Sequence, residues 1–207
     1  MEFSILPAEE YAYVRFLNAV YNNEGIDIYI DGELAYSNLK YMEFTEYKRM
    51  GRGSITIEVF EPGTTTNPLY RSRNPLRKDI IYTGAFTGVG NTMTMQFVID
   101  DKRSETVPGS HIRFIDLTPE GLRFDIYLDN EKVVTDLTFL VTSDYVTTTP
   151  GQHNLKIKIQ GQDDAVITHP QLFLRPGTFY AGYIIGTYTE ANNDLLVLIP
   201  LEGTTYI

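Results

Sequence analysis

The tetrapeptide Val14-Arg15-Phe16-Leu17 decides the fold, because it recurs 98 positions further along the chain as Ile112-Arg113-Phe114-Ile115. At the same spacing, Asp27-Ile28-Tyr29-Ile30-Asp31 recurs as Asp125-Ile126-Tyr127-Leu128-Asp129. Single residues keep this register elsewhere: Leu39/Leu137, Tyr47/Tyr145, Tyr82/Tyr180, Gly84/Gly182 and Gly88/Gly186. One spacing kept over so long a stretch indicates two copies of one module.

Each copy has the pattern of an all-β domain. Residues 55–59 alternate apolar and polar, and residues 155–159 do the same in the second copy, which is typical of strands with one buried face. The two stretches align best at a spacing of 100, which predicts a two-residue insertion near residues 147–149. Turn signals separate the strands: Asp31-Gly32, Pro62-Gly63, Gly88-Val89-Gly90, Pro150-Gly151 and Pro176-Gly177. We therefore predict two tandem antiparallel β-sandwiches, immunoglobulin-like or transthyretin-like.

The repeat also predicts where the domains begin and end. The first module covers residues 11–99 and the second covers 110–201, with an N-terminal arm over 1–10. Between the modules, residues 100–109 are polar and end in Pro-Gly, which predicts a linker.

Four segments of the first copy carry a family resemblance. They are Val-Arg-Phe-Leu-Asn-Ala (14–19), Asp-Ile-Tyr-Ile-Asp-Gly (27–32), Tyr-Met-Glu-Phe-Thr-Glu-Tyr (41–47) and Ile-Thr-Ile-Glu-Val (55–59). Together they resemble a bacterial domain-of-unknown-function family, the one numbered 4397. The resemblance implies tandem β-sandwich modules in surface-exposed or spore-associated bacterial proteins. It implies no catalytic residues.

Composition excludes several classes of function. The 207 residues include no Cys, and 17 Lys and Arg stand against 27 Asp and Glu, a net charge of −10. Without cysteine there is no disulfide scaffold, iron–sulfur cluster or thiol nucleophile. The acidic balance argues against nucleic acid and anionic membranes as partners. The first ten residues lack the features of a secretory signal, so we expect synthesis in the cytoplasm, with a spore or cell surface location after release.

No residue pattern predicts catalysis. The three histidines, His111, His153 and His169, have no histidine equivalent in the first copy and no second histidine at ligand spacing. Gly84, Gly88 and Gly90 precede no Lys-Ser/Thr pair, so they are interpreted as strand and turn glycines. We therefore predict no catalytic residue, no cofactor and no metal site.

A ligand face is one hypothesis for the first copy. Asp27, Tyr29 and Asp31 share one face of a strand, and Tyr41 follows nearby in the sequence. A shared Ca²⁺ ion is disfavoured, because residues two apart on a strand lie nearly 7 Å apart. A solvated face leading into an Asp-Gly turn fits better, and the many tyrosines leave carbohydrate or cell-wall binding as an alternative function.

The charge distribution leaves two interpretations open, scattered surface charge and self-assembly. Residues 11–99 carry nine basic and nine acidic side chains, whereas residues 110–199 carry six and eleven. A basic patch on one copy could therefore meet the acidic module of another, producing head-to-tail rings or filaments. The arm, with the apolar residues Phe3, Ile5 and Leu6, either frays, docks on its own module or adds a strand to another copy. The residues of the patch are Lys48, Arg49, Arg52, Arg71, Arg73, Arg77 and Lys78.

We therefore expect a non-enzymatic structural protein, the self-assembling subunit of a bacterial surface or spore-associated structure. Its expected partners are copies of itself, with surface carbohydrate as the alternative.

Overall fold

A computed structural model describes residues 11–51, 53–88, 92–100 and 107–205. Over these residues the chain consists of strands, turns and one three-residue 3-10 helix, Gly203–Thr205. None of the helical segments in this part of the chain has the length and apolar character to span a membrane.

The first module contains eight strands in two sheets. One sheet has the order β4-β1-β7-β8 and the other β3-β2-β5-β6. The strands are β1 (Tyr11–Asn18), β2 (Ile26–Ile30), β3 (Glu33–Leu39), β4 (Lys48–Gly51), β5 (Gly53–Phe60), β6 (Tyr70–Leu76), β7 (Ile81–Thr87) and β8 (Thr94–Asp100).

The second module repeats this arrangement, in sheets of order β12-β9-β15-β18 and β11-β10-β13-β14, with a small β16-β17 hairpin inserted. The strands are β9 (Ser110–Asp116), β10 (Arg123–Leu128), β11 (Glu131–Thr138), β12 (Val146–Thr148), β13 (Gly151–Ile159), β14 (Ala165–Leu174), β15 (Phe179–Ile185), β16 (Tyr188–Thr189), β17 (Asn192–Asn193) and β18 (Leu196–Leu198). The prediction of two tandem β-sandwiches is confirmed.

The strand order separates the two sandwich types left open by the sequence. In an immunoglobulin constant-type sandwich the first strand pairs with the second. Here β1 lies between β4 and β7, and β2 belongs to the facing sheet. The β1–β7 pair is parallel, and so is the β9–β15 pair. The order therefore departs from the immunoglobulin pattern and leaves the transthyretin-like alternative.

The expected two-residue insertion in the second copy is wrong. Ile28 pairs with Val59 in the first module, and its equivalent Ile126 pairs with Ile157 in the second. Val59 and Ile157 are 98 positions apart, so the original spacing holds through the middle of the module. Spacings of 98 and 100 place the same faces inward because strand side chains alternate with period two, and the apolar pattern alone could not distinguish them.

The four sheets form a stack of four layers. The β4-β1-β7-β8 and β12-β9-β15-β18 sheets, here called the inner sheets, contact each other, and each also covers its own outer sheet. Val14 and Phe16 of β1 therefore belong to the core of the first module, while Leu17 belongs to the cluster between the modules. Every residue of β7, β9 and β15 is buried. The cluster between the modules consists of Leu17, Ala19, Ala85, Val98, Ile115, Leu117, Ala181, Tyr183 and Ile185.

Two glycines allow the inner strands to pack this closely. Gly84 pairs with Phe16 across the parallel β1–β7 ladder, and Gly182 pairs with Phe114 in the second module. A Cβ atom at Gly84 would lie 2.8 Å from the Phe16 ring, and one at Gly182 would lie 2.7 Å from the Phe114 ring. The repeat therefore has glycine at both positions because a phenylalanine ring occupies the space that a larger side chain would need.

Replacing Gly182 with alanine is expected to destabilise the protein by about 1–3 kcal/mol, because the new methyl group overpacks the core. Urea denaturation measures the free energy of unfolding. Gly51→Ala is the matched control, since a Cβ atom there meets nothing within 4 Å, and its effect is expected within about 0.5 kcal/mol. Equal stability of the two variants would contradict the packing role of Gly182.

Candidate functional site

A buried polar cluster joins the two modules. Arg15 lies between Val14 and Phe16 on β1, so its side chain points away from the first module's core and towards the second module. Arg113 has the equivalent position on β9. We call this group the junction cluster; its members are Arg15, Tyr47, Asp100, Arg113, Tyr145 and Glu202.

Arg113 binds acidic groups from both modules. Its Nε donates a hydrogen bond to Glu202 Oε1 at 2.6 Å, and its Nη2 donates to Asp100 Oδ1 at 3.1 Å. The same Nη2 also donates to the Ile99 carbonyl oxygen at 2.9 Å. The guanidinium lies 4.9 Å from the centre of the Tyr145 ring. One cation thus connects the end of the first module to the end of the second.

Arg15 has a related but different environment. Its Nε donates to Thr83 Oγ1 at 3.0 Å, and its guanidinium lies 4.7 and 4.6 Å from the ring centres of Phe44 and Tyr47. Tyr47 in turn donates its hydroxyl hydrogen bond to Asp100 Oδ2 at 3.0 Å. The two modules therefore repeat the pairing of an arginine with a tyrosine that binds a carboxylate.

The second tyrosine completes this repetition. Tyr145 donates a hydrogen bond to Glu202, as Tyr47 does to Asp100. The backbone N–H of Gly203 also donates to Asp100 Oδ2, at 3.2 Å. When both acids are ionised, the two positive charges of the arginines balance the two negative charges of the carboxyl groups. Buried charges need such pairing to offset the cost of removing them from water.

Burial shifts the ionisation of these acids. It raises the pKa of Asp100, and it raises the pKa of Glu202 to about 7, with the nearby Asp100 charge adding to the effect and Arg113 opposing it. Burial also raises the pKa values of Tyr47 and Tyr145, which keeps both hydroxyls protonated as donors. The side chains of Asp100 and Glu202 have no exposed surface. The interactions of the junction cluster therefore connect the two modules.

Sequence reasoning missed the carboxyl groups of this cluster. Asp100 falls within the predicted linker, but it is the last residue of β8 and is fully buried. Glu202 was left outside the second module, yet its backbone N–H donates to the Phe179 carbonyl oxygen. The signal that could have predicted these carboxyl groups is the arginine present in both apolar tetrapeptides. A charged residue in a buried strand needs an oppositely charged partner nearby.

One substitution between the copies changes a buried hydrogen bond. Asn18 accepts a hydrogen bond from the Val20 N–H and donates its own Nδ2 to the Leu39 carbonyl oxygen at 2.9 Å. Its equivalent, Asp116, accepts from Thr118 through Oδ1, while its buried Oδ2 has no hydrogen-bond partner. In the repeat, Leu137 is the equivalent of Leu39, whose carbonyl oxygen accepts from Asn18 in the first copy. A protonated carboxyl can donate to a carbonyl oxygen and an ionised one cannot, and burial raises the pKa of Asp116 to about 6.

The residues of the predicted ligand face serve local structure instead. Asp27 is buried: its Oδ1 accepts from the Asn38 N–H at 2.7 Å and its Oδ2 from the Gly63 N–H at 2.8 Å. Asp31 occupies the β2–β3 turn with φ of 52°, and its Oδ1 accepts from the Thr56 N–H at 2.8 Å. The face expected to be solvated therefore begins with a buried carboxylate that binds β3 and the loop between β5 and β6.

The two tyrosines of that face lie in different surroundings. Tyr29 packs edge-on against Phe60, with ring centres 5.2 Å apart, in an outer sheet. Tyr41 packs against the cluster between the modules and edge-on against Tyr21. Tyr21 then donates to Asp194 of the second module at 2.5 Å. The structure thus places Tyr41 at the junction of the modules rather than beside Asp27 and Tyr29.

The basic patch is divided between two sheets. Lys48 and Arg49 lie on β4, at one edge of an inner sheet, with Arg49 5.0 Å from the centre of the Tyr11 ring. Arg71 and Arg73 lie on β6, at the far edge of the outer sheet from β3. The cleft beside Lys48 is lined by β3 residues, and β6 is three strands from β3, roughly 14 Å across the sheet. The expected single patch is therefore two separate groups; Arg77 and Lys78 follow β6 in the turn to β7.

The remaining predicted residues either have structural roles or lie outside the part of the chain that the structure describes. Arg52, Gly90 and the arm residues Phe3, Ile5 and Leu6 lie outside the described residues. Gly88 follows β7 with φ of 97°, as expected of a turn glycine. His153 is buried and contacts Asp129 and the Thr149 carbonyl oxygen. Within the described ranges, no three His, Cys, Asp or Glu side chains are grouped so that they could hold a metal ion.

Comparison with known proteins identifies the repeat. A family model described as a domain of unknown function, DUF4397, matches residues 12–110 and again residues 110–202. No curated protein matches the chain. The two matched regions coincide with the two sandwiches.

Replacing Arg113 with glutamine is expected to lower the free energy of unfolding at pH 8 by about 3 kcal/mol, because it leaves two buried carboxyl groups without their cation. Chemical denaturation measures the loss. Arg123→Gln is the matched control, since Arg123 forms an exposed ion pair with Asp136, and its cost is expected to be much smaller because water screens an exposed pair. Equal losses in the two variants would show that burial of the pair has no energetic importance.

Asp116→Asn is expected to remove part of the pH dependence of stability. Because the pKa of Asp116 is raised to about 6 in the folded protein, from 3.8, its contribution to stability is complete below about pH 4 and is lost as the pH rises through 6. The variant should therefore gain roughly 2–3 kcal/mol over the native protein between pH 4 and pH 8. Denaturation at both pH values measures this gain.

The reciprocal change, Asn18→Asp, should introduce the same pH dependence in the first module. A constant difference between Asp116→Asn and the native protein at both pH values would contradict the role given to the Asp116 proton.

Proposed function

Because the chain belongs to the DUF4397 family and carries two copies of its domain of unknown function, we propose a function from its own geometry: it is a non-enzymatic structural protein whose copies assemble with one another.

The open edges of the outer sheets carry this proposal. Each outer sheet has four strands and does not close into a barrel. Among the described residues, β3, β6, β11 and β14 each pair with one neighbouring strand only. The unpaired N–H and C=O groups of such a strand can pair with a strand from another chain. A body with four such edges has several places at which copies can join.

The junction cluster supports a structural role. Its charged groups are buried and bind one another, so they join the modules and are withdrawn from any molecule in solution. The contact between the modules also includes the buried Thr87 hydroxyl, which donates to the Leu117 carbonyl oxygen at 2.5 Å. A rigid connection of this kind suits a building block, because it transmits the orientation of one contact to the next.

Two sequence features complete the proposal. The apolar arm residues Phe3, Ile5 and Leu6 add a further contact between copies, and the neutral first module faces the acidic second module of a neighbour. The assembly belongs to a bacterial surface or spore-associated structure, as the family resemblance implies.

Carbohydrate or cell-wall binding is the alternative, and the geometry supports it less. A sugar-binding platform needs open aromatic ring faces. The ring of Tyr127, the equivalent of Tyr29, has the ammonium groups of Lys132 and Lys158 at 5.5 and 5.4 Å from its centre. The Tyr41 hydroxyl is buried, and burial raises its pKa to about 12.

The purified chain is expected to form oligomers or filaments whose size increases with protein concentration at neutral pH. Sedimentation velocity and negative-stain electron microscopy measure this directly. A chain that sediments as a monomer at every concentration would overturn the proposal.

A variant lacking residues 1–8 separates the arm from the sheet edges. Loss of assembly assigns the contact to the arm. Unchanged assembly removes the arm from the proposal and leaves the sheet edges as the contact.

A further inference from the structure

The two modules protect opposite edges of their outer sheets. On β3, Leu34 is 51% exposed, whereas its equivalent on β11 is Lys132, whose Nζ binds Asp125 at 2.6 Å. A lysine on an edge strand discourages pairing with other chains, and an exposed leucine does not. The β3 edge of the first module is therefore open, and the β11 edge of the second module is guarded.

At the opposite edge of the outer sheets, formed by β6 and β14, the first module is the protected one. β6 of the first module presents the exposed residues Arg71, Arg73 and Pro75, all of which hinder strand addition. The equivalent positions of β14 are His169, Gln171 and Phe173. Phe173 is 61% exposed, and β14 contains no Asp, Glu, Lys or Arg. The β14 edge is therefore the open one in the second module.

The backbone of β3 offers outward-pointing groups at Leu34, just before a register shift between Leu34 and Tyr36. Asp31 and Gly32 both have positive φ, 52° and 85°, as in a two-residue type I′ hairpin turn. In such a hairpin Ile30 and Glu33 form the hydrogen-bonded pair, so the next pair, Tyr29 with Leu34, is not hydrogen-bonded. The N–H and C=O groups of Leu34 therefore point outward. A cleft of about 380 Å³ between β3 and β4 borders this edge.

The backbone of β14 offers a matching position. Phe173 pairs with Gln152 as Pro75 pairs with Ser54 in the first module. Proline has no N–H, so the ladder does not use a donor at this position. The Phe173 N–H consequently points away from β13. Pro170 interrupts the edge further back, where the pairing with β13 also shifts register, which leaves residues 172–174 as the regular ladder.

We propose that β3 of one copy pairs with β14 of the next copy, in a head-to-tail contact that extends the outer sheet of one molecule into that of another. This deepens the proposed function, on which it rests, by naming the two surfaces that meet. The exposed Leu34 and Phe173 are buried by the contact. Because the two surfaces differ, each copy keeps one free edge of each kind and the contact generates rings or filaments.

Charge favours this pairing over a contact between two β3 strands. β3 carries Glu33 and no basic residue, so antiparallel pairing of two β3 strands brings two carboxylates onto one short edge. β14 has no carboxylate to repel Glu33. The occupant of the β3 edge is therefore a second copy of this chain, presented through its second module.

Two variants test the contact, each introducing the residue that the sister module carries at the same position. Leu34→Lys blocks the β3 edge and Phe173→Pro blocks the β14 edge, and the sister module shows that the fold accommodates both residues. Each variant alone is expected to sediment as a monomer. An equimolar mixture is expected to form one-to-one dimers, because each partner retains the edge that the other lacks.

Val141→Lys is the matched control, since Val141 is an exposed apolar residue outside the edge strands, and it should assemble like the native chain. Circular dichroism and denaturation confirm that each variant is folded.

The outcomes separate this contact from the proposed function. If the native chain assembles and both edge variants assemble equally well, the contact is overturned and the proposed function stands. If Phe173→Pro alone dimerises, two β3 strands pair and the head-to-tail contact is overturned. A native chain that remains monomeric overturns both.

Discussion

Burial of the two inner sheets on both faces is the constraint on which the rest of the structure depends. β7, β9 and β15 have no exposed residue, so their side chains must suit a module core on one side and the junction on the other. This explains why Val14-Arg15-Phe16-Leu17 is nearly continuous in apolar character where a half-exposed strand alternates. It also explains the glycines beside Phe16 and Phe114, since strands packed on both faces have no space to yield.

The junction cluster adds direction to this contact. Apolar surfaces attract one another without a preferred alignment, whereas the hydrogen bonds of Arg113 to Glu202 and Asp100 require one. The cost of burying these charges is offset by their mutual pairing and by the hydroxyl groups of Tyr47 and Tyr145. In this view the apolar residues supply the free energy of the contact, and the buried ions define how the modules are aligned.

The duplication separates what the fold needs from what distinguishes each module. Asp31 and Asp129 have φ values of 52° and 51° at equivalent turns, so the fold retains them. Edge residues differ instead: Leu34 against Lys132, and Pro75 against Phe173. Since an outward edge residue contributes little to its own sandwich, these differences are free to determine which surfaces meet another molecule. The proposed assembly follows from them.

The duplication, the strands and the turns are predictable from the amino-acid sequence, because alternation and Asp-Gly signals depend on neighbouring residues along the chain. The alignment of the two copies near Val59 is predicted wrongly, since a period-two pattern is unchanged by a shift of two residues. The predicted linker also includes Asp100, and the predicted basic patch joins Arg49 and Arg73, which lie on different sheets. These features become visible in the folded protein, because folding brings Asp100 to Arg113 and Gly203. The partner of a buried charge, and the sheet edge on which a residue lies, depend on segments far apart in the chain.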